Sequence, residues 1–291
     1  MFNDSIERFN LSVISSETII DHEPAIRAMI FIGVFAALAI AERLVPRRGA
    51  FQFNKQRWTT NLGVLLIDAL LVRLLLPAGA VGIAVLAETR EAGLLNLVEW
   101  PLALKIVVAF VALDLAIYLQ HVIFHAIPLL WRLHRVHHAD VHFDVTTGVR
   151  FHPIEILLSL LIKIAAIFLI GPPVIAVLLF EIALNATAMF SHSNVRLPLA
   201  VDAAVRLVMV TPDMHRVHHS IEAAETNSNF GFNLPWWDRL FGTYRAQPAA
   251  GHDKMTIGIP QFRSVDDLRI DRVLAQPFLK AESDTGRGPR I

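Results

Sequence analysis

Apolar residues in this chain come in long runs separated by short polar breaks. The first run extends from about Ala25 to Pro46. The second extends from about Asn61 to Glu88 and is interrupted by Arg73 and Pro77. The third runs from Pro101 to Gln120, the fourth from Pro153 to Ile170, and the fifth from Val174 to Phe190. A helix needs ~20 residues to cross the hydrocarbon of a bilayer, and each run approaches that length. Gly171-Pro172-Pro173 cannot continue a helix. The fourth and fifth runs therefore predict a hairpin that dips in and returns to the side it left.

The basic residues then orient the runs. The loop after the first holds Arg47, Arg48, Lys55 and Arg57, which places it in the cytoplasm by the positive-inside rule. The stretch Glu88 to Glu99 carries more acids than bases and falls on the other side. The third run delivers His121 back to the cytoplasmic face, and the hairpin returns the chain there again. Segments 121–152 and 191–291 thus share one side, whereas His22 belongs to the opposite one. The expected architecture is all-α: a polytopic membrane bundle with a cytoplasmic helical cap.

Composition agrees. Hydrophobic residues make up 54% of the 291 and charged ones 18%, with a mean hydropathy of +0.51. That is too little charge to cover a soluble surface. Lys plus Arg and Asp plus Glu are equal at 26 each, so there is no footprint for nucleic acid. Cysteine is absent, which excludes disulfides, thiolate metal sites and a cysteine nucleophile. The N-terminal stretch Met1 to Pro24 is acidic and does not read as a cleaved signal peptide. Three regions are expected: 1–100 with N-terminal helices and the basic loop, 101–250 with most of the histidines, and a polar tail at 251–291 that is partly disordered from Ser283.

Thirteen histidines stand out against this background. His121 and His125 lie four apart at the end of the third run. His-Arg-Val-His-His occurs at 134–138 and again at 215–219, supplying His134, His137, His138, His215, His218 and His219. Helical residues three and four apart share a face, so each cluster presents its imidazoles together. A lone histidine on an apolar helix is usually a core or surface residue, but three clusters on one membrane side require another explanation. Eight imidazoles are too many for one ion and suit two, with iron, zinc, copper and nickel all open. His152, where the hairpin enters, and His192, where it leaves, are placed to add ligands. His142 reads as a surface or supporting residue, and His252 lies in the polar tail.

The order His-x3-His, His-x2-His-His and a distant His-x2-His-His resembles the fatty acid hydroxylase and sterol desaturase superfamily. Asp144-Val145-Thr146-Thr147, Arg150 to Pro153, Phe190 to Val195, Thr211 to Met214, Asn229-Phe230-Gly231 and Trp237 to Tyr244 extend the likeness over about 100–245. The resemblance implies a membrane di-iron oxygenase with its histidine boxes facing the cytoplasm. The membrane would be a bacterial inner membrane or, in a eukaryote, the endoplasmic reticulum. It implies two iron ions, Fe2+/Fe3+, with zinc as a possible substitute. It also implies a lipid substrate: a fatty acyl chain, sphingoid base, sterol, carotenoid or alkylglycerol ether. The eight box histidines match its ligands, and His192 and His152 its extra positions. No dinucleotide fingerprint is present, so a separate electron donor is implied, cytochrome b5-like or ferredoxin-like.

Several polar residues are candidates for supporting the ligands. Asp114 precedes His121 by two helical turns and could accept an imidazole N–H or pair with Arg73. Glu181 and Asn185 share a face with His192 and could line the metal pocket or bond within the bundle. Asp140, Asp144 and Asp213 flank the boxes. Trp236 and Trp237 read as an interfacial or core anchor, and Lys105 as a snorkelling residue. Two other functions fit a histidine-rich membrane protein. A metal transporter would place ligands midway through its helices, and a zinc hydrolase would use metal-bound water.

Overall fold

The computed structural model describes residues 16–49 and 54–280, with side chains from His22 onward. Most of the acidic N-terminal stretch and the expected disorder of Ser283 to Ile291 lie outside the described residues. Twelve α-helices occur among them: α1 Ser16–Leu44, α2 Asn54–Leu75, α3 Gly79–Thr89, α4 Leu102–Ala126, α5 Pro128–His138, α6 Pro153–Ile170, α7 Val174–Ser191, α8 Leu199–Val205, α9 Pro212–His218, α10 Ala223–Thr226, α11 Trp236–Leu240 and α12 Ile270–Ala275. No strand is present among the described residues, only isolated bridges between Pro46 and Val195 and between Ser220 and Ile257.

Five candidate spans account for the apolar runs, with α2 and α3 counted as one. The protein is an integral membrane helix bundle. The break between α2 and α3 falls at Leu76 to Ala78, where Pro77 removes a backbone donor. The hairpin of α6 and α7 forms the centre. α1, α3 and α4 pack against α7, and α2, α3 and α4 against α6. Small residues on α3 (Ala80, Ala84 and Ala87) allow close approach to Ile167 and Val177. Large apolar side chains such as Met29, Ile32, Leu66, Leu70 and Leu74 point outward, as a lipid-facing surface requires.

Prolines and caps set the helix boundaries. Pro128, Pro153 and Pro212 each open a helix at its first turn. The side chain of Thr211 accepts from the Met214 amide at 3.3 Å. Gly171 closes α6 in the left-handed conformation, φ +66°.

Both ends of the bundle are identifiable. At one end, the Glu42 carboxylate of α1 accepts from the amides of Val145 and Asn194 at 2.7 and 2.6 Å. The loops after α1, α5 and α7 therefore meet there. At the other end Gly93, in the α3–α4 connection, lies against Gly171. The hairpin thus runs about 27 Å from one end to the other and back. As expected, all three histidine clusters gather at the first end. Residues 251–280, expected as a polar tail, are packed there too. Leu268 and Val273 are buried, the Thr60 hydroxyl donates to the Leu268 carbonyl at 2.6 Å, and Arg135 donates to the carbonyls of Gln276 and Leu279 at 2.6 and 2.7 Å.

The Gly93–Gly171 contact gives a test of the fold. A Cβ at Gly93 would overlap the Gly171 backbone, and φ +98° disfavours any other residue. Strain of that kind costs on the order of 1–3 kcal/mol before the overlap is counted. Gly93→Ala is expected to lower the thermal midpoint in detergent clearly, although it lies at the opposite end from every histidine cluster.

Candidate metal centre

The last two turns of α4, the last two turns of α5, the end of α7 and the whole of α9 converge at the site end of the bundle. They bring nine histidines into two adjoining groups. His121, His125, His134, His138 and His218 form the first; His137, His192, His215 and His219 form the second. Within each group the ligand atoms lie within 4.8 Å of one another. The His138 and His219 rings stack at 4.5 Å and join the groups. Every one of these side chains is buried.

The outer ring nitrogens determine which way each imidazole faces. His121 Nδ1 lies 2.8 Å from the Phe230 carbonyl, His218 Nδ1 2.7 Å from that of Ser228, His192 Nδ1 2.7 Å from that of Ala188, and His137 Nδ1 3.2 Å from that of Arg150. A carbonyl only accepts, so Nδ1 carries the proton and Nε2 presents a bare lone pair. Yet His121 Nε2 and His218 Nε2 are 3.0 Å apart, and so are His192 Nε2 and His137 Nε2. Two bare lone pairs at that distance repel unless a cation lies between them. His134, His215 and His219 bring further Nε2 atoms within 3.1 Å of these centres. Imidazoles bound to one first-row ion at about 2.0–2.1 Å hold neighbouring nitrogens roughly 3.0–3.4 Å apart. His125 Nε2 and His138 Nε2, also inside the first group, have no hydrogen-bond partner. The donor set therefore fits two metal ions.

Protonation points the same way. Burial pushes His134 down to about 3 and His192 to about 4, and holds His137, His138, His215, His218 and His219 well below the usual imidazole value. These rings are neutral near pH 7, the state in which imidazole binds metal. Aromatic side chains seal the site. Phe151 stacks on His137 at 4.4 Å, Phe230 meets the edges of His121, His125 and His218, and Phe143 covers His192 and His219.

The supporting residues differ in part from expectation. His152 joins neither group; its Nδ1 caps α6 by accepting from the Ile154 amide, and its Nε2 faces the Leu274 carbonyl. Asp114 reaches neither a histidine nor Arg73. It accepts from Asn233 and Trp237, at 2.8 Å each, and so ties the loop that carries the Phe230 carbonyl to α4. Trp237 is accordingly a core anchor, while Trp236 donates to the Leu207 carbonyl. Glu181 pairs with Arg27 and Lys163 deep in the bundle, and Asn185 donates to the Glu181 carbonyl, so neither faces the histidines.

Asp140 and Asp144 hold Arg57, which is fully buried rather than a loop charge. Burial opposes their ionisation, but the Arg57 guanidinium keeps both below the ordinary carboxylate range. Asp213 pairs with Arg216 and Arg47. His142 is buried beside Asp144 in the wall of a separate cleft. His252, expected in a polar tail, is also buried, 3.7 Å from Asp213.

Sequence reasoning misses Glu155, whose Oε1 lies 2.6 Å from His134 Nδ1. The available signal is an acid at the start of an apolar span, where a charge is expensive. It also misses Asp238, which accepts from the amides of Phe230 and Gly231 at 2.7 and 2.9 Å. The repeated His-Arg-Val-His-His holds a further signal, its arginine. Arg135 and Arg216 are both buried and tie their helices to neighbouring carbonyls.

Comparison with known proteins places this site in context. The fatty acid hydroxylase family model matches residues 106–243. An ornithine lipid hydroxylase of Rhizobium tropici is 28% identical over 234 residues, covering 76% of this chain and 67% of its own. Alkylglycerol monooxygenases of Danio rerio and Homo sapiens are 30% and 28% identical over 59% and 52% of this chain. The chain spans only 36% and 32% of those two enzymes. No solved structure matches significantly.

Two outcomes follow from the geometry. Glu155→Gln removes the carboxyl partner of His134, and loss of such outer partners typically weakens metal binding 10- to 100-fold. Competition with a chelator of known affinity measures it. The second concerns acid. Histidines with folded values depressed below about 6.5 contribute stability that is full above that pH and lost as pH falls toward their folded values. The metal-free protein is therefore expected to lose thermal stability steeply between about pH 6.5 and pH 4, read from unfolding midpoints across that range.

Proposed function

From the premise that this chain belongs to the fatty acid hydroxylase superfamily, we propose that it is a di-iron oxygenase that hydroxylates a membrane lipid. The observation that carries this reading is the pairing of bare Nε2 atoms at 3.0 Å in two separate groups. The proposed ligands are His121, His125, His134, His138 and His218 for one iron, and His137, His192, His215 and His219 for the other. When bound, such a pair supplies reductive activation of dioxygen and removal of hydrogen from an unactivated C–H bond.

The chain's own residues supply the setting. The backbone carbonyls of Phe230, Ser228, Ala188 and Arg150 fix the tautomers and ring directions. Glu155 increases the basicity of His134. Phe143, Phe151 and Phe230 exclude water, which protects a reactive centre from side reactions. The bundle delivers a lipid from the hydrocarbon to the histidine end. Hydroxylation is preferred to desaturation because the relatives bear hydroxylase and monooxygenase names. Electrons come from a separate donor protein, cytochrome b5-like or ferredoxin-like. The site faces the cytoplasm, with Arg47, Arg48 and Lys55 still on that side after Arg57 is assigned to the interior.

The two alternative functions make different predictions. A transporter places ligands along a transmembrane path, whereas these gather at one end of the bundle. A zinc hydrolase works without oxygen or reductant.

The test is direct. The purified protein is expected to hold about two iron per chain by elemental analysis, one for each histidine group. His137→Ala and His218→Ala each remove a nitrogen from one facing pair and are expected to abolish iron retention and turnover. In lipid extracts, cells with the intact protein should hold a product one oxygen heavier than its precursor. A product two hydrogens lighter would make the enzyme a desaturase. Full iron and full turnover in both variants would overturn the assignment.

A further inference from the structure

A cavity of about 740 Å3 lies inside the membrane-spanning part of the bundle, between α1, α2, α6 and α7. Its size is that of a site for one small amphiphile. Phe31, Leu65, Val72, Ile156 and Leu160 make most of its wall apolar. α1 packs on α7 and α2 on α6, but α1 and α2 share few contacts. That leaves a lateral slot through which a lipid chain can enter from the hydrocarbon. The upper wall reaches Ile156, next in the chain to Glu155, which bonds His134.

The polar groups in this wall are not equivalent. Arg27, Lys163, Glu23 and Glu181 satisfy one another: Arg27 binds Glu23 at 2.6 Å and Glu181 at 2.9 Å, and Lys163 binds Glu181 at 2.5 Å. Arg73 donates to the Pro77 carbonyl at 2.7 Å. Neither Arg27 nor Lys163 is thus left for an anionic headgroup. Asp68 is different. It lines the cavity with only 6% of its surface exposed, and its Oδ1 has no hydrogen-bond partner. The ionisable group that couples to it electrostatically is Glu155, a second acid with an unpartnered oxygen, Oε2. Gln120 adds a third unpartnered acceptor, Oε1, while its amide donates to Ser159 in the cavity wall at 2.7 Å. Asp68 is therefore the acceptor without a donor in the cavity wall itself, with Glu155 and Gln120 behind the wall. A buried unpaired acceptor is costly, more so when charged and in hydrocarbon.

We infer that this cavity seats the lipid substrate as a single-chain amphiphile, with Asp68 receiving a hydrogen-bond-donating polar group, an ammonium or a hydroxyl. The inference rests on the lipid-oxygenase reading and specifies its substrate class. The apolar chain occupies the slot between α1 and α2. The donor group lies against Asp68, which sets how far the lipid rises toward His134. An anionic headgroup finds Arg27 and Lys163 already neutralised by Glu23 and Glu181.

Native mass spectrometry of the purified, iron-loaded protein in mild detergent tests this with three probes: hexadecylamine, 1-O-hexadecylglycerol and hexadecanoate. At least one donor-bearing probe should bind at one per chain, hexadecanoate should not, and Asp68→Leu should weaken binding at least tenfold. Asp68→Asn separates the two donors. It should abolish binding of the amine, which needs the charge, but largely retain the glycerol ether, which needs only an acceptor. Should Asp68→Leu fail to fold, Val72→Trp fills the cavity from α2 and must remove binding as well. Hexadecanoate binding as tightly as the donor probes, or donor binding indifferent to these substitutions, overturns the inference. The two readings fail separately. His137→Ala should lose iron yet keep Asp68-dependent binding; if instead the unsubstituted protein bound the probe through Asp68 but held no iron and showed no turnover, the oxygenase reading alone would be overturned. Iron and turnover with Asp68-independent binding would overturn this one alone.

Discussion

Lone pairs of neutral imidazoles face each other at 3.0 Å inside a dry pocket, and much of the cap serves to keep them there. Both nitrogens of each facing pair are bare, so no hydrogen bond can form between them. The rings cannot rotate away, because each outer nitrogen of His121, His137, His192 and His218 is held by a backbone carbonyl, for His192 that of its own preceding helical turn. They cannot become charged cheaply either, because burial disfavours the imidazolium. The folded protein thus carries two centres of negative potential whose natural complement is a cation. Metal binding is favourable in part because the chain has already accepted the cost of ordering these donors.

The same constraint explains residues that touch no histidine. A carbonyl orients a ring only as well as its own peptide is fixed. Asp238 holds the amides of Phe230 and Gly231, and Asp114 ties the following residues to α4, so the carbonyl facing His121 has little freedom. Arg150 donates to the Val136 carbonyl and to Asn61, at 2.8 Å each, while its own carbonyl faces His137. Arg57 bridges Asp140 and Asp144 and so locks the loop between α5 and α6 to α2. A buried ion pair of this type adds little net stability over an apolar substitute, but losing one partner costs about 3–5 kcal/mol. Its value lies in fixing one arrangement of the loop.

Much of this was legible in the chain. The apolar runs gave the spans, Gly171-Pro172-Pro173 gave the hairpin, and the spacing of the clusters gave eight of the nine converging imidazoles. Parity along the membrane then placed them on one side without using the histidines themselves. His192 followed from its position at the end of the hairpin. The same reasoning proposed His152, which lies outside both groups and caps α6 before Pro153. Arg57 was hidden by its location, since a base at a span boundary looks like a topology signal. Asp114, Glu181 and Asn185 share helical faces with histidines, but a face also turns toward partners distant in sequence. Asp114 meets residues more than a hundred positions away. The packed segment 251–280 was unreadable for a related reason: short polar stretches gain order from a surface that already exists, not from their own periodicity.

Partners separate two kinds of intramembrane ionisable residue that look alike in sequence. Arg27, Lys163 and Glu181 are ionisable residues in apolar spans, and each has found its opposite. Their cost is met within the bundle, and they fix how α1, α6 and α7 lie together. Asp68 and Glu155 have the same composition signal but an incomplete set of partners. The distinction is therefore between charges that close the structure and charges that leave it open. Those left open lie between the lipid-facing slot and His134, where an incoming molecule can complete them. One cleft wall thus holds both kinds: Arg27, Lys163 and Glu181 satisfy one another there, while Asp68 keeps an oxygen without a donor.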